Sequence, residues 1–333
     1  MAAKKSSAAS ASSSTVADKA PQRTASASTA DVRRAAPKAA ASKAATPMLQ
    51  GKGKQAPAIV TRFWGVRGSI ATPGEKTLKT GGNTSCVEVR CGEHLLIFDM
   101  GTGLKPLGQS LLKQGQGVVK ANIFVSHYHW DHIVGLPFFG PAYDPRSELT
   151  IHGATRKGRD VRQILAGQMI DPYFPVDLGV FNARLRFVPL QDGGQVKLGD
   201  VRVRAFELNH PGGALGYRVE HRGKVMVYAT DFEHGTDADD RLVEMAKGAD
   251  LMIVDAQYTP AEYEAPAPFS KKGWGHSTYE MAATLARLAG VSQLALYHHE
   301  PERNDDGIEA IAALARKIHP GTFAAREGLT IEL

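Results

Sequence analysis

The first 57 residues contain no aromatic side chain and only two acidic ones, against ten lysines and arginines. So little apolar bulk cannot offset the entropy of ordering a chain. Residues 1–57, rich in Ala, Ser and Lys and interrupted by Pro21, Pro37, Pro47 and Pro57, are therefore expected to form a disordered basic tail. Of the 40 basic and 34 acidic residues, 30 and 32 remain for residues 58–333, so the tail carries +8, the body -2, and the chain's net +6 comes from the tail. The body lacks the charge footprint of a nucleic-acid binder. For the tail, a polyanion-binding arm and an organelle transit peptide stay open beside a plain solvated extension. Cysteine is nearly absent too. Cys86 and Cys91 lie five positions apart in the alternating run TSCVEVRC, which sends them to opposite faces of a strand and excludes a mutual disulfide. No stretch approaches the roughly 18 apolar residues of a membrane span, nor does the N-terminal region carry a secretory hydrophobic run. A cytoplasmic protein without membrane contact is expected.

What is present begins near Ile59, where IVTRFWGV brings the first aromatic and β-branched residues. Strands are expected at 84–90, 94–99, 122–126, 148–153, 183–190, 201–208, 215–220, 224–230, 250–256, 292–298 and 328–333. Helices are expected at 104–113, 156–169, 238–248, 277–290 and 306–318. Two β-sheets covered by helices on their outer faces accommodate this order, an α/β architecture in one domain spanning 58–333.

The most chemically loaded segment is SHYHWDH at 126–132, placed after the apolar run NIFVS. Side chains at i and i+2 share a face of extended chain, so His127 and His129 can converge on one ion. A turn after Trp130 lets Asp131 and His132 reach a second. Further donors follow other apolar runs: His210 after VRVRAFELN, Asp231 after KVMVYAT, and His298 after SQLALY. Seven imidazole and carboxylate groups suit two zinc ions, with manganese or iron as alternatives, better than a thiolate cluster.

On these residues the chain resembles the metallo-β-lactamase superfamily, across essentially all of 58–333. The resemblance implies an αββα sandwich with two mixed β-sheets and a two-metal site at the sheet edges. It implies that His127, His129 and His210 hold one ion, that Asp131, His132 and His298 hold the other, and that Asp231 bridges them. Asp99 in FDMGTG matches a supporting Asp. His299 competes with His298 for the last position, and the pattern Leu296, Tyr297, His298 favours His298.

GWGHSTYEMAATLARLAG, with SHYHWDHIVGLP, resembles the ribonuclease Z and phosphodiesterase branch, and FWGVRGSIATPG with TGGNTSCVEVR resembles its compact cyclic-phosphodiesterase members. Only 20 residues separate His210 from Asp231, leaving no room there for the transfer-RNA-gripping arm that the branch usually carries. The resemblance thus implies a metal-dependent phosphoric diester hydrolase acting on cyclic nucleotides or related small phosphodiesters through a dinuclear-metal hydroxide. Asp131 would orient or deprotonate the water, and His276 would protonate the leaving oxygen. Ser277 and Thr278, at a helix start, are candidates for phosphate binding with Asn83. Gly68 and Gly81 either pass near the metals or merely form turns. The alternatives are a ribonuclease Z-like endoribonuclease, a glyoxalase II or lactonase-type hydrolase, and a nucleic-acid-associated protein with a structural metal. Nucleic acid is a candidate partner for the tail, and a homodimer stays open. Phe138, Phe139 and Phe174 are expected in the core.

Overall fold

The computed structural model describes residues 56–114 and 118–333; the expected tail, but for its last two residues, lies outside these. Fourteen strands are present among the described residues. They are β1 (Val60–Gly65), β2 (Cys86–Cys91), β3 (His94–Phe98), β4 (Lys120–Phe124), β5 (Glu148–Gly153), β6 (Arg184–Pro189), β7 (Gln195–Leu198), β8 (Val201–Leu208), β9 (Ala214–His221), β10 (Lys224–Ala229), β11 (Leu251–Asp255), β12 (Gln293–Tyr297), β13 (Thr322–Ala324) and β14 (Thr330–Glu332). Among them run helices α1 (Leu104–Gln114), α2 (Trp130–Ile133), α3 (Val161–Gly167), α4 (Ala238–Ala246), α5 (Pro260–Tyr263), α6 (Tyr279–Leu288) and α7 (Asp305–Arg316).

The strands form two seven-stranded sheets, ordered β14-β1-β2-β3-β4-β5-β6 and β13-β12-β11-β10-β9-β8-β7. Both are mixed. Pairing is antiparallel from β14 through β3 and parallel from β3 to β6. In the second sheet it is antiparallel from β7 through β10 and parallel from β10 to β13. Phe63, Phe98, Tyr217, Tyr228 and Tyr297 belong to a core between the sheets. A second core joins α4, α6 and α7 to the back of β10, β11 and β12, and a third joins α1 and α3 to the back of β3, β4 and β5. These layers are the expected αββα sandwich.

Cys91 lies in the inter-sheet core and Cys86 in the core behind it, both as free thiols. Alternation along β2 puts them on opposite faces, as expected.

Helix 156–169 was expected too long. Arg156 and Arg159 pair across a turn with Lys157 and Gly158 at positive φ, and Asp160 then opens α3 in a capping box with Gln163. β7 and β13 were not anticipated, being only four and three residues long. Phe139 is fully buried, whereas Phe138 is 54% exposed and packs edge-on against Phe174. The expectation of core therefore fails for Phe138.

Candidate metal centre

β3 and β4 run parallel to each other, as do β10, β11 and β12, and they deliver their carboxyl ends to one edge of the sandwich, where open α/β sheets bind ligands. Asp99, Asp231 and His298 each follow directly, or within two residues, on such a strand and adopt left-handed φ of 62°, 55° and 56°. Asp and His tolerate this region better than most side chains, and their strain is compatible with a functional site.

The donors form two cups. In the first, His132 Nε2 lies 3.2 Å from Asp131 Oδ2, 3.1 Å from Asp231 Oδ1 and 3.3 Å from His298 Nε2. His298 Nε2 lies 3.2 Å from each carboxylate. A zinc ion bonded at about 2.0 Å to four tetrahedral donors sets them roughly 3.3 Å apart. The first cup fits such an ion. In the second, His129 Nδ1 lies 3.1 Å from His210 Nε2, and Asp231 Oδ2 lies 3.5 Å from His127 Nε2 and 3.8 Å from His210 Nε2. His127 Nε2 is buried with no hydrogen-bond partner, a state that a bound cation would relieve. Asp231 is common to both cups.

The charge states agree. Burial disfavours the ionised form of Asp131 and Asp231, yet His132, with His298 and, for Asp231, His127, outweighs it and holds both carboxyls well below the usual range. Burial prevails at His127 and pushes it well below the usual imidazole range. Ionised carboxylate and neutral imidazole are the ligating forms. At His132, burial is overcome by Asp231, Asp131 and Asp99, which raise it well above the usual range, so a cation would take the place of its proton.

A second layer fixes the donors. Asp99 is fully buried and accepts from Ser126 N, Ser126 Oγ and Tyr228 OH at 2.7–2.8 Å, while its Oδ2 sits 2.8 Å from His132 Nδ1. Gln257 Oε1 lies 2.8 Å from His298 Nδ1. His299 Nε2 instead meets the carbonyl of Ala325, so His298 alone faces the cup. Ser69 N donates to Asp131 Oδ2 at 2.8 Å, and a Cβ on Gly68 would collide with the His298 ring. Gly68 thus belongs to the site, whereas Gly81, at φ 107°, turns beside Glu327.

His276 Nδ1 lies 2.6 Å from Asp255 Oδ2, leaving Nε2 for the cleft, and the ring stacks on His298 with centroids 4.8 Å apart. Burial alone would lower its pKa, but Asp255 raises it to about 9. Ser69, Tyr128, His129, Trp130, Asp131, Asp231, His276 and His298 line an open cleft of about 400 Å³.

Three expected substrate contacts are not brought there. Ser277 is fully buried, with its N–H donating to Asp255 and its Oγ facing His234. Thr278 Oγ1 caps α6 by accepting from Met281 N. Asn83 is tied to Glu327 through both its backbone and its side chain. Sequence reasoning missed Asp255, Gln257 and Glu233. Asp255 carried a usable signal, since it ends an apolar strand as Asp231 and His298 nearly do.

Among known proteins, a family model described as a beta-lactamase superfamily domain matches residues 97–299. A ribonuclease Z of Haloarcula marismortui is 25% identical over 291 residues, covering 71% of this chain and 84% of that protein. The metallo-beta-lactamase fold protein YhfI from Bacillus subtilis superposes with a TM-score of 0.61 at 18% identity, covering 84% of this chain and 100% of YhfI. A diphosphatase from the PhnP family superposes with a TM-score of 0.59 at 19% identity, covering 83% and 97%.

Proposed function

The chain belongs to the beta-lactamase superfamily, and on that premise we propose that it is a metal-dependent phosphodiesterase acting on cyclic nucleotides or related small phosphodiesters. The observation that carries this reading is the pair of donor cups sharing Asp231, opening on the same cleft as His276. Two divalent ions, zinc first among the candidates, would supply charge stabilisation at a phosphoryl oxygen and acidify water. His127, His129, His210 and Asp231 would hold one, and Asp131, His132, His298 and Asp231 the other.

The chain's own groups divide the remaining work. Asp131, steadied by the Ser69 amide, orients the attacking water or accepts its proton. His276, charged near neutrality because Asp255 stabilises its imidazolium, gives a proton to the leaving oxygen. Asp99 and Gln257 hold His132 and His298 in the orientation that presents Nε2 to the cup.

A ribonuclease Z-like endoribonuclease is the second reading, favoured by the name of the Haloarcula marismortui relative. Against it, the segment between His210 and Asp231 is filled by β9, a tight turn at Arg222 and Gly223, and β10, with no protruding arm. Metal analysis coupled to a substrate panel tests both. About two ions per chain and turnover of 2′,3′-cyclic, 3′,5′-cyclic or short linear diesters supports the proposal. Turnover confined to a lactone or thioester refutes it, and cleavage confined to structured RNA favours the second reading.

A further inference from the structure

Two of the three tryptophans in this chain stand exposed on segments that carry or contact cup donors. Trp130 is 78% exposed and lines the cleft directly, between His129 and Asp131. A single exposed apolar residue is ordinary, but this one is not loose. Its backbone opens α2, its carbonyl accepts from Val134 N at 2.8 Å, and its neighbours on either side belong to opposite cups.

Trp274 is 55% exposed and lies two residues before His276. It sits between Gly273 and Gly275, whose N–H groups donate to Glu233 at 2.6 and 2.7 Å. The Gly275 carbonyl in turn lies 2.9 Å from His210 Nδ1, so the loop is bolted to the second cup. Over the Trp274 ring, Lys271 Nζ is 4.0 Å from the centroid, and among the described residues no carboxylate pairs with this lysine. Trp130 therefore offers an aromatic face in the cleft, and the Trp274–Lys271 pair stands on a loop anchored to the second cup, close in sequence to the cleft-lining His276.

We propose that Trp130 is a stacking platform for a nucleobase, and that the Trp274 and Lys271 pair receives the next phosphate or base, so that the substrate is a nucleotide diester rather than a diester without bases. Base stacking on an aromatic residue is sequence-tolerant, because every base has a π-face. The inference rests on the phosphodiesterase reading for its substrate, but its physical content is binding and can be read without turnover.

The test titrates the metal-loaded full chain calorimetrically with adenosine 5′-monophosphate and with ribose 5-phosphate. It also compares kcat/KM for a thymidine dinucleotide with that for the same diester lacking both bases. Adenosine 5′-monophosphate should bind about ten-fold more tightly than ribose 5-phosphate or better. Trp130→Leu should erase that advantage and Trp130→Phe should keep most of it. Trp274→Leu should reduce it less, and Lys271→Ala should weaken both ligands alike. Equal affinity for the two ligands, or an advantage that survives Trp130→Leu, overturns the proposal. If neither diester is hydrolysed while the base-dependent gain in affinity persists and is lost in Trp130→Leu, the platform stands and the phosphodiesterase reading falls.

Discussion

The two donor cups share Asp231 but are built to different tightness. The cup of Asp131, His132 and His298 is wholly buried, the separations of its two imidazoles from each other and from the carboxylates lie between 3.1 and 3.3 Å, and each donor has a partner behind it in Ser69, Asp99 or Gln257. The cup of His127, His129 and His210 spreads from 3.1 to 3.8 Å, contains the exposed His129, and leaves His127 Nε2 without a hydrogen bond. The difference leads to the expectation that the first cup, being pre-shaped, would hold an ion more tightly than the second.

The most drastic way to break this contrast is to remove what the cups share. Asp231→Ala should strip both ions and eliminate detectable turnover, as elemental analysis and a diesterase assay will show together; retention of two ions would contradict the shared-ligand arrangement. Next in size, His276→Ala should lower kcat by about 10²–10⁴-fold. Its metal content should stay intact, which separates proton transfer from ion holding.

A chelator titration sharpens the comparison itself. One equivalent should leave well before the other, and His129→Gln should remove only that weak equivalent. Conversely, Gln257→Ala should weaken the tight equivalent by about 10–100-fold. Loss of both ions in one step from the unsubstituted protein would erase the distinction between the cups.

The smallest effect uses a histidine outside both cups. His152 stacks on Phe124 and is 4% exposed, and burial lowers its pKa to about 4. Because the folded value lies below the unfolded one of about 6.5, the unfolded chain gains the proton first as pH falls. Stability should drop by about 2 kcal/mol between pH 7 and pH 5 through this residue alone. Urea unfolding at the two pH values checks it, with His152→Gln showing a correspondingly flatter dependence.

The convergence of seven donors was legible because the SHYHWDH segment, His210, Asp231 and His298 each come shortly after an apolar run, a signal that survives without knowledge of the fold. The second layer was less so. Gln257 lies two residues beyond β11 and Glu233 two beyond Asp231, where nothing in the local pattern distinguishes a structural amide or carboxylate from a solvated one. Ser277 and Thr278 illustrate the opposite error. A hydroxyl near a helix start suggests an anion site, but Thr278 is consumed by its own cap and Ser277 is buried against His234 and Asp255. The αββα layering was readable from strand and helix order, whereas β7 and β13 are too short to produce a period, and the turn at Arg156–Arg159 was masked by a helix-like composition.

The left-handed backbone at Asp99, Asp231 and His298 has an evolutionary reading. A β-branched or bulky substitute at these three positions carries a backbone cost of about 1–2 kcal/mol before any chemistry is considered. His127, His129, Asp131, His132 and His210 are not among the positive-φ residues and carry no such tax. Drift or directed evolution toward a different metal should therefore enter through the SHYHWDH segment and His210, with Asp231 and His298 the last donors to change.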